Sequence, residues 1–593
     1  DLSEDLLNLR KSPRRISGPI ELLSASAMEE QTFPSSRLVT PNSHSTTQRI
    51  PIGSETTDEN QNPESITYIG RSHYIDQDTL IDEDSSRAYP SYQSNELTGL
   101  RDSVLHMFKA FDLPPRSIRQ ALIDNFLQFC HPWTPILSHG ELDFDFSETK
   151  KHPSLLLIQS LFLAASRASP SPGVLAFATP EQFYQRAKTL FFVNHEDNPL
   201  AVIKATIMLQ WYTPDGPEHV SYDAGEFWLK TGVGIAYQVG LHKDPGEGRN
   251  ASMRRRLWWS LVVRDMLMSV AHGRPRAINF EDVNVAPLCA ADFEDCLPGD
   301  AELFIHYADI CCILGDITES CSRNSLTKSK KEHYQSQIFR WPRVLPTHLR
   351  ISHRNANNAD EYSLCGYDLN TRQLHIPYFI SLAILGRPST RNTISAQAIL
   401  AASFVAGIFQ ELLVRDDIGH LAPIFTRYCV ASSFFLVSLR PIPKLWEACQ
   451  PDLDVLRLCL KELSKRWKSA IGGSKALESI LNAQRQNATP AMKDLLPLTR
   501  EQRFFFDGFP LDLCHMWTPC TTFYEGATAK TAQSSQYAQN HELLDSPQGR
   551  GVEPIVSTMP FTSADEGIEE ILPLADFLVN GLDSWLSEDA WAA

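Results

Sequence analysis

The chain has 593 residues, of which 42% are hydrophobic, and it carries a formal net charge of −17 at pH 7. Phosphate groups repel such an acidic surface, so the charge excludes nucleic-acid binding over the general surface and leaves only a concentrated basic module for DNA contact. The twelve cysteines are sparse and scattered, which argues against a secreted, disulfide-linked protein. The longest apolar run, residues 398–409, is about half of the ~20 residues that a membrane span requires, so we predict no membrane contact.

Residues 1–98 are rich in Ser, Thr, Asn, Asp and Pro and contain few apolar runs. Such a segment offers too little apolar surface to offset the entropy lost on ordering its backbone, so we predict a disordered linker. A basic cluster at Lys11, Arg14 and Arg15 has two interpretations. We favour a solvated patch of the linker over a localisation signal or a contact beside DNA.

Residues 99–485 carry apolar residues at helical spacing, and few of their segments alternate at period two. We therefore predict an all-α, multi-helix domain whose loops hold the Pro and Gly residues. Residues 323–366 are polar and partly basic, and we predict an inserted mobile loop there. For its basic residues we favour an ordinary polar loop over a nuclear import signal. Helices are predicted near residues 101–111, 115–130, 154–168, 180–193, 199–212, 222–240, 251–271, 301–321, 372–385, 395–415, 420–438, 452–470 and 474–484.

Two apolar helices joined by a Gly/Pro-rich turn are predicted between residues 227 and 287. Gly240 ends the first helix and Gly273 ends the second, because glycine tolerates the positive φ of a helix C-terminus. We expect the imidazole of His242 to approach the last carbonyls of the first helix. The residues singled out in this block are Gly240, Leu241, His242, Arg255, Arg256, Trp258, Trp259, Asp265, Gly273, Arg274 and Pro275.

The charged residues of the block have a structural interpretation. Arg255 and Arg256 precede the pair Trp258-Trp259, and cation–π stacking between them would contribute ~0.5–2 kcal/mol. We predict that Asp265 pairs with Arg255 or Arg274. Removing one partner of a buried pair costs ~3–5 kcal/mol, so Asp265→Ala is expected to unfold the domain.

In order and spacing, this block resembles the regulatory domain of fungal zinc-cluster transcription factors, called the middle homology region. Residues 121–135 and 374–388 match the same pattern, so the resemblance covers roughly residues 100 to 485. The segment LPPRSIRQALIDNFLQFCHPWTPIL is further similar to that of the cutinase gene activators, which implies control of lipid or carbon-source genes. The resemblance implies a nuclear protein, and it leaves open a homodimer and a small-molecule inducer.

The resemblance also implies DNA binding through six cysteines that hold two zinc ions near the N-terminus. This chain does not contain that module, because its first cysteine is Cys130 and none of its cysteines forms a C-x2-C pair. We expect no metal or cofactor in the chain itself, and zinc only if a cluster lies upstream. Three explanations would account for the missing module. We favour two of them: the chain is a fragment that starts after the cluster, or the coding sequence has lost its first exon. The third is that the protein is a co-regulator that lacks the cluster.

The C-terminal part divides into residues 486–560, predicted as a loosely ordered, low-complexity linker, and residues 561–593. The latter hold eight Asp and Glu residues and no Lys or Arg. Their large apolar residues fall on one face of a helix that is marginal alone but can fold into a partner's groove. We predict an acidic activation segment that binds transcription co-activators, in preference to a helix packed back on the main domain; a segment that does both would be autoinhibitory. The predicted face consists of Leu574, Phe577, Leu578, Leu582, Trp585 and Leu586.

No catalytic pattern is present in the sequence, which lacks HExxH, G-x-S-x-G, a Walker loop and G-x-G-x-x-G. We therefore predict that the chain is not an enzyme, and the resemblance implies a transcription regulator of the RNA polymerase II type. The alternatives are an interaction protein without a zinc cluster and, more distantly, an α-helical enzyme with an unrecognised site.

Overall fold

The computed structural model describes residues 68, 98–142, 154–217, 219–248, 250–296, 299–354, 362–388, 393–486 and 494–524. The predicted N-terminal linker, residues 1–98, therefore lies outside the described residues except at Tyr68 and Thr98. The predicted activation segment, residues 561–593, lies wholly outside them.

The described residues are mostly helical, which confirms the all-α prediction. Their helices end within a few residues of the predicted bounds in most cases; the second helix of the block, predicted at 251–271, spans Ala251–His272. The helices are α1 (Thr98–Met107), α2 (Arg116–Phe129), α3 (His139–Leu142), α4 (Leu155–Ala168), α5 (Pro172–Phe177), α6 (Pro180–Phe192), α7 (Pro199–Leu209), α8 (Gly225–Gln238), α9 (Ala251–His272), α10 (Asp300–Ser322), α11 (Lys328–Val344), α12 (Leu369–Leu385), α13 (Ala396–Val414), α14 (Ile424–Val437), α15 (Pro443–Ala448), α16 (Gln450–Ser464), α17 (Lys468–Gln486) and α18 (Arg500–Arg503). Short 3-10 turns include His131–Trp133, Ala290–Phe293, Asp417–His420 and Leu511–Leu513.

Strands are minor in the described part of the chain. Strand β1 (Ser352–Arg354) pairs antiparallel with β2 (Tyr362–Leu364), and β3 (Thr393–Ser395) pairs in parallel with β4 (Asp494–Leu496). Each strand has three residues, so these pairs fasten segments together and build no sheet layer.

Local sequence sets many helix starts. Ser154, Asn198 and Ser395 each accept a hydrogen bond from a backbone N–H of the first turn of α4, α7 and α13. Thr179 forms a capping box with Gln182 at the start of α6. These side chains satisfy donors that the helix itself leaves unpaired, which explains why the sequence predicts these starts well.

Successive helices bury one continuous apolar core. Helix α4 packs against α2, α6 and α7; α9 packs against α10; and α12 packs against α10 and α13. Trp228, Trp258 and Trp467 are among its largest fully buried side chains. Helix α13 is long and apolar enough to cross a membrane by length and composition, but 78% of its apolar window is buried inside this core.

The prediction of a mobile loop at residues 323–366 is wrong for most of its length. Helix α11 occupies Lys328–Val344, and its Ile338 and Trp341 are buried. The indole of Trp341 donates a hydrogen bond to the carbonyl of His306, at 3.0 Å. The sequence does not reveal this helix because only one turn of a mostly polar segment is buried, and packing on α10 and α12 stabilises it.

The prediction of a loose linker at 486–560 also differs from the structure, because residues 494–524 pack on the domain. Phe505, Phe506 and Phe509 are buried there, and Tyr378 of α12 donates its hydroxyl to the carbonyl of Phe505, at 2.6 Å. The domain therefore continues past residue 485. Short apolar clusters between polar residues have no helical period, so the sequence pattern does not reveal that they are buried.

Candidate functional site

The turn after α8 has the geometry that the sequence predicts for its glycine. Gly240 has a φ of 67°, its N–H donates to the carbonyl of Tyr237 at 3.1 Å, and the N–H of Leu241 donates to the carbonyl of Ala236 at 2.9 Å. These two bonds form a Schellman motif, which satisfies the last carbonyls of the helix. Leu241 and Ala236 are both buried, so the turn is also fixed by an apolar contact.

His242 is enclosed by aromatic rings. Its imidazole lies edge-on to Tyr68 at 4.8 Å and to Tyr237 at 5.0 Å between ring centroids, and Trp258 lies at 6.3 Å. Within the described residues its Nδ1 has no hydrogen-bond partner. The predicted approach of this imidazole to the helix carbonyls is therefore wrong. Burial is the main cause of its lowered pKa, which favours the neutral ring.

Arg255 belongs to an ion-pair group at the start of α9. Its Nε donates to Asp292 Oδ1 at 2.7 Å, and its Nη1 lies 3.4 Å from Asp244 Oδ1. Asp292 is fully buried and also accepts the N–H of Cys289 through its second carboxylate oxygen, at 3.0 Å. This group of ion pairs connects the turn after α8 to the 3-10 turn Ala290–Phe293.

Arg256 has no exposed surface and pairs with Asp295 through both terminal nitrogens, with Nη2 to Oδ2 at 2.9 Å. Its guanidinium lies over the ring of Phe293, 5.7 Å from the centroid. The predicted stacking on the Trp258-Trp259 pair is wrong. Trp258 is buried in the core, and the indole of Trp259 donates to the carbonyl of Ala286 at 2.9 Å. The helix backbone fixes the direction in which each side chain projects, and the two arginines project toward the loop at 289–296.

The carboxylate of Asp265 accepts two backbone hydrogen bonds, from the N–H of Ala277 at 2.9 Å and from the N–H of Ile278 at 2.9 Å. The predicted pairing with Arg255 or Arg274 is wrong. The loop that leaves α9 folds back along the helix, and this return brings its N–H groups to the carboxylate. Burial raises the pKa of Asp265, while the hydrogen bonds from the two backbone N–H groups oppose that rise.

Gly273 ends α9 with a φ of 64°, as its sequence position predicts. The next residue, Arg274, pairs with Glu226 of α8, and its Nη2 donates to the carbonyl of Pro217 at 2.8 Å. Pro275 follows on the exposed surface. Arg274 thus links the end of α9 to the start of α8, while Arg255 links the opposite ends of the two helices.

The charged side chains that the sequence singles out in this block, Arg255, Arg256, Asp265 and Arg274, are all engaged in ion pairs or hydrogen bonds with neighbouring loops and helices. In the described part of the chain, no group of three or more His, Cys, Asp or Glu residues could hold a metal ion. The twelve cysteines all lie in described residues, and all are free thiols.

A cavity borders the middle of α9, at Val263, Arg264 and Leu267. It opens to solvent, and its interior has room for about one water molecule. Its walls come from α2, α9, α10, α12, α14 and the turns His131–Trp133 and Asp417–His420. The lining residues are Phe129, Trp133, Trp211, Val263, Arg264, Leu267, Tyr307, Gln373, His420, Ala422, Ile424 and Phe425.

The sequence alone does not predict this cavity, because its residues run from Phe129 to Phe425 and meet only through helix packing. One signal is present. Arg264 lies three and seven positions after Leu261 and Leu257, on the apolar face of α9. A charged residue on an apolar helical face points to a partner or a polar cavity.

Residues 123–337, from α2 into α11, match the model of the fungal specific transcription factor domain. The block at residues 227–287, which comprises most of α8 and all of α9, lies wholly inside the matched residues, so the resemblance deduced from its residues is confirmed. The matching family is one of transcription factors and not of enzymes.

Curated relatives are similar over a longer stretch. The chain is 26% identical to the cutinase transcription factor 1 alpha of Fusarium vanettenii over 69% of the chain and 48% of that protein. It is 27% identical to the acetamidase regulatory protein of Aspergillus fumigatus over 61% of the chain and 48% of that protein. The chain thus spans about half the length of these relatives. No solved structure matches it.

Proposed function

We propose that this chain is the regulatory and activating portion of a nuclear transcription regulator. The fungal transcription factor domain would control activity, and residues 561–593 would recruit co-activators. DNA would be contacted by a zinc-cluster module that lies outside this sequence. The observation that carries the proposal is the family match over residues 123–337, supported by the similarity to the cutinase and acetamidase regulators.

The electrostatics of the described residues support this division of labour. Arg255, Arg256 and Arg274 are committed to carboxylates of the chain itself, so their positive charges are already neutralised and do not offer a contact for DNA phosphates. The domain would therefore act on transcription through protein or ligand contacts.

A reporter assay tests the activating role. Residues 561–593 fused to a neutral DNA-binding domain are expected to raise reporter output, because their apolar face folds into co-activator grooves. Trp585→Ser together with Leu578→Ser should abolish that output, since both changes remove the face without altering charge. The matched control, Ser587→Ala, changes a residue outside the predicted face and should leave output intact. No output from the unaltered segment would remove activation from the proposal.

Fusion of the whole chain to the same DNA-binding domain separates the remaining alternatives. Output well below that of the isolated segment would indicate that the segment packs back on the domain and is autoinhibited. The co-regulator without a zinc cluster is the second candidate, and sequence-specific DNA binding by the natural full-length protein would exclude it. Control of lipid or carbon-source genes is a further proposal, supported by the similarity to the cutinase transcription factor.

A further inference from the structure

One exposed surface of the domain combines positive charges with apolar side chains. Helix α11 contains five Lys and Arg residues and one Glu. Since an α-helix turns by about 100° per residue, Lys328, Phe339 and Arg343 project from one side of α11, away from its two buried residues. Arg340 lies beside them, and all four side chains are exposed to solvent.

Phe504 continues this surface beyond the helix. The Nη2 of Arg343 donates to the carbonyl of Phe504 at 3.2 Å, and the guanidinium carbon of Arg343 lies 3.5 Å from the ring centroid of Phe339. Phe339 is 38% exposed and Phe504 is 42% exposed, so both rings offer apolar area to a partner. We call the following five residues the α11 face: Lys328, Phe339, Arg340, Arg343 and Phe504.

The positive charges of the α11 face are not neutralised by described residues. In that part of the chain Lys328 and Arg340 form no ion pair and no side-chain hydrogen bond, and Arg343 donates only to carbonyl groups. The arginines of the block at 227–287 differ, because carboxylates of the chain pair with them. One acidic residue, Glu332, lies on α11, and residues 500–507 add two arginines and two carboxylates, so the surface keeps a net positive charge.

The segment 561–593 of the same chain complements the α11 face in two respects. It holds eight Asp and Glu residues and no Lys or Arg, so opposite charges would attract it. It also carries the predicted apolar face with Phe577 and Trp585, and such rings pack well on exposed phenylalanines. A purely acidic segment would use only the charges of the α11 face, whereas this segment suits its charges and its rings.

The described chain ends near α11. Phe505 lies 6.3 Å from Phe339, and the adjacent Phe506 lies 5.9 Å from Trp517, between ring centroids. From Trp517 a helix of eight residues, about 12 Å long, leads to residue 524. The 36 residues at 525–560 then separate this point from the segment, and a chain of that length spans up to ~120 Å when extended. Segment 561–593 is therefore long enough in its connection to reach the α11 face of its own chain.

We propose that segment 561–593 docks on the α11 face of its own chain. Its carboxylates would pair with Lys328, Arg340 and Arg343, and its apolar residues would pack on Phe339 and Phe504. Docking would cover the apolar residues that are proposed to bind co-activators, so it would compete with activation. This regulation rests on the proposed function, but the docking itself does not.

Photo-crosslinking of the full chain tests the docking. With p-benzoylphenylalanine in place of Trp585, irradiation is expected to give crosslinks to residues 328–344 or 500–507, identified by peptide mass spectrometry. The yield should fall at least about threefold between ~50 mM and ~500 mM NaCl, because salt screens exposed charge pairs. Crosslinks confined to other parts of the chain would overturn the proposal, and so would their absence.

Variants of the same chain show which residues receive the segment. Lys328→Glu with Arg340→Glu should lower the crosslinking yield at least about fivefold, because two attractions become repulsions. The matched control, Lys444→Glu with Lys461→Glu, reverses two exposed charges on α15 and α16 and should leave the yield unchanged. Phe339→Ser, at an exposed position that the fold does not need, should lower it several-fold. Folded test variants that crosslink as well as the parent chain would overturn the assignment.

Two other occupants of the α11 face are recognised by the same approach. Crosslinks that join isotopically labelled and unlabelled copies in a mixture would make the occupant a second copy of the chain. Protection of α11 from hydrogen exchange by duplex DNA, together with no crosslink from position 585 to α11, would make the face a nucleic-acid surface. Either result would overturn docking within one chain.

Reporter output separates the docking from the proposed activation. Lys328→Glu with Arg340→Glu should raise the output of the whole-chain fusion at least about twofold at equal protein level, because the segment is released. Unchanged output despite lost crosslinks would refute the regulation. Crosslinks to α11 with no output from the isolated segment would refute activation and leave docking intact. Output from the isolated segment with no crosslinks to α11 would refute docking and leave activation intact.

Discussion

Asp265 illustrates how this domain holds a buried charge through its own backbone. The carboxylate is 4% exposed and accepts from the N–H groups of Ala277 and Ile278, on the loop that returns along α9. Backbone donors bring no opposite charge, but they satisfy the oxygens that water would otherwise hydrate. Asp265 therefore holds the loop that leaves α9 against the helix. The sequence suggests an arginine as its partner, but the partners are backbone N–H groups.

Asp265→Ala is expected to lower the free energy of unfolding by about 2–5 kcal/mol, because it leaves the buried N–H of Ile278 and the partly buried N–H of Ala277 without acceptors. Urea unfolding followed by circular dichroism measures the change. The control is Asp124→Ala on α2, whose carboxylate accepts from the exposed amide of Gln120 and should matter by less than about 0.5 kcal/mol. Similar losses in the two variants would contradict the role assigned to the backbone bonds.

At the scale of elements, the turn between α8 and α9 depends on one residue that can adopt positive φ. Gly240 has a φ of 67°, and a Cβ on it would lie 2.9 Å from the Cβ of Tyr68. Gly234, inside α8, has ordinary helical geometry, and a methyl group added there would have no described atom within 4 Å. The two glycines thus differ, because only at Gly240 does the backbone conformation require glycine.

We expect Gly240→Ala to cost roughly 1–2 kcal/mol of stability from the left-handed backbone, and more if Tyr68 cannot shift. Gly234→Ala is expected to stabilise the protein by up to about 1 kcal/mol through helix propensity. Thermal unfolding of the two variants provides the measurement. A stabilised Gly240→Ala would show that the Schellman turn does not form as described.

At the scale of the whole molecule, residues 494–524 complete the core that the helices build. The N–H of Met516 donates to Ser403 Oγ of α13 at 3.1 Å, and Ser403 in turn donates to the buried Asp452 of α16 at 2.6 Å. Gly407 of α13 allows the backbone at Leu513 to lie directly against the helix, where a Cβ would collide with the Leu513 carbonyl oxygen. The segment is therefore joined to two helices by buried polar contacts and by one close backbone approach.

Gly407→Ala should displace the segment around Leu513 and destabilise the domain by about 1–3 kcal/mol or more, because backbone cannot yield as a flexible side chain can. Limited proteolysis is expected to cleave within 494–524 sooner than in the parent chain. Gly472→Ala on α17, where an added methyl would have no described atom within 4 Å, is the matched control and should be neutral or mildly stabilising. Unchanged proteolysis of Gly407→Ala would mean that the segment does not depend on this contact.

The range of each interaction decides whether the sequence predicts it. The ends of α8 and α9 are predicted correctly, since Gly240 and Gly273 act within one turn of chain. Helix α11 is not predicted, because its stability comes from contacts with α10 and α12 and hardly from its own apolar pattern. The partners of Arg256 and Asp265 are not predicted either, because loops outside the helix supply them.

By itself, the sequence determined the all-α class, the places where most helices begin and end, and the spacing that identifies the transcription factor domain. Helical period, capping and positive φ are local properties, so they can be read from neighbouring residues. The tertiary structure alone decided which groups neutralise the buried charges, that residues 494–524 belong to the core, and that Arg264 meets Trp133 and Gln373 in one cavity. Those outcomes depend on packing between segments far apart in the chain, and no local pattern encodes which distant segments will meet.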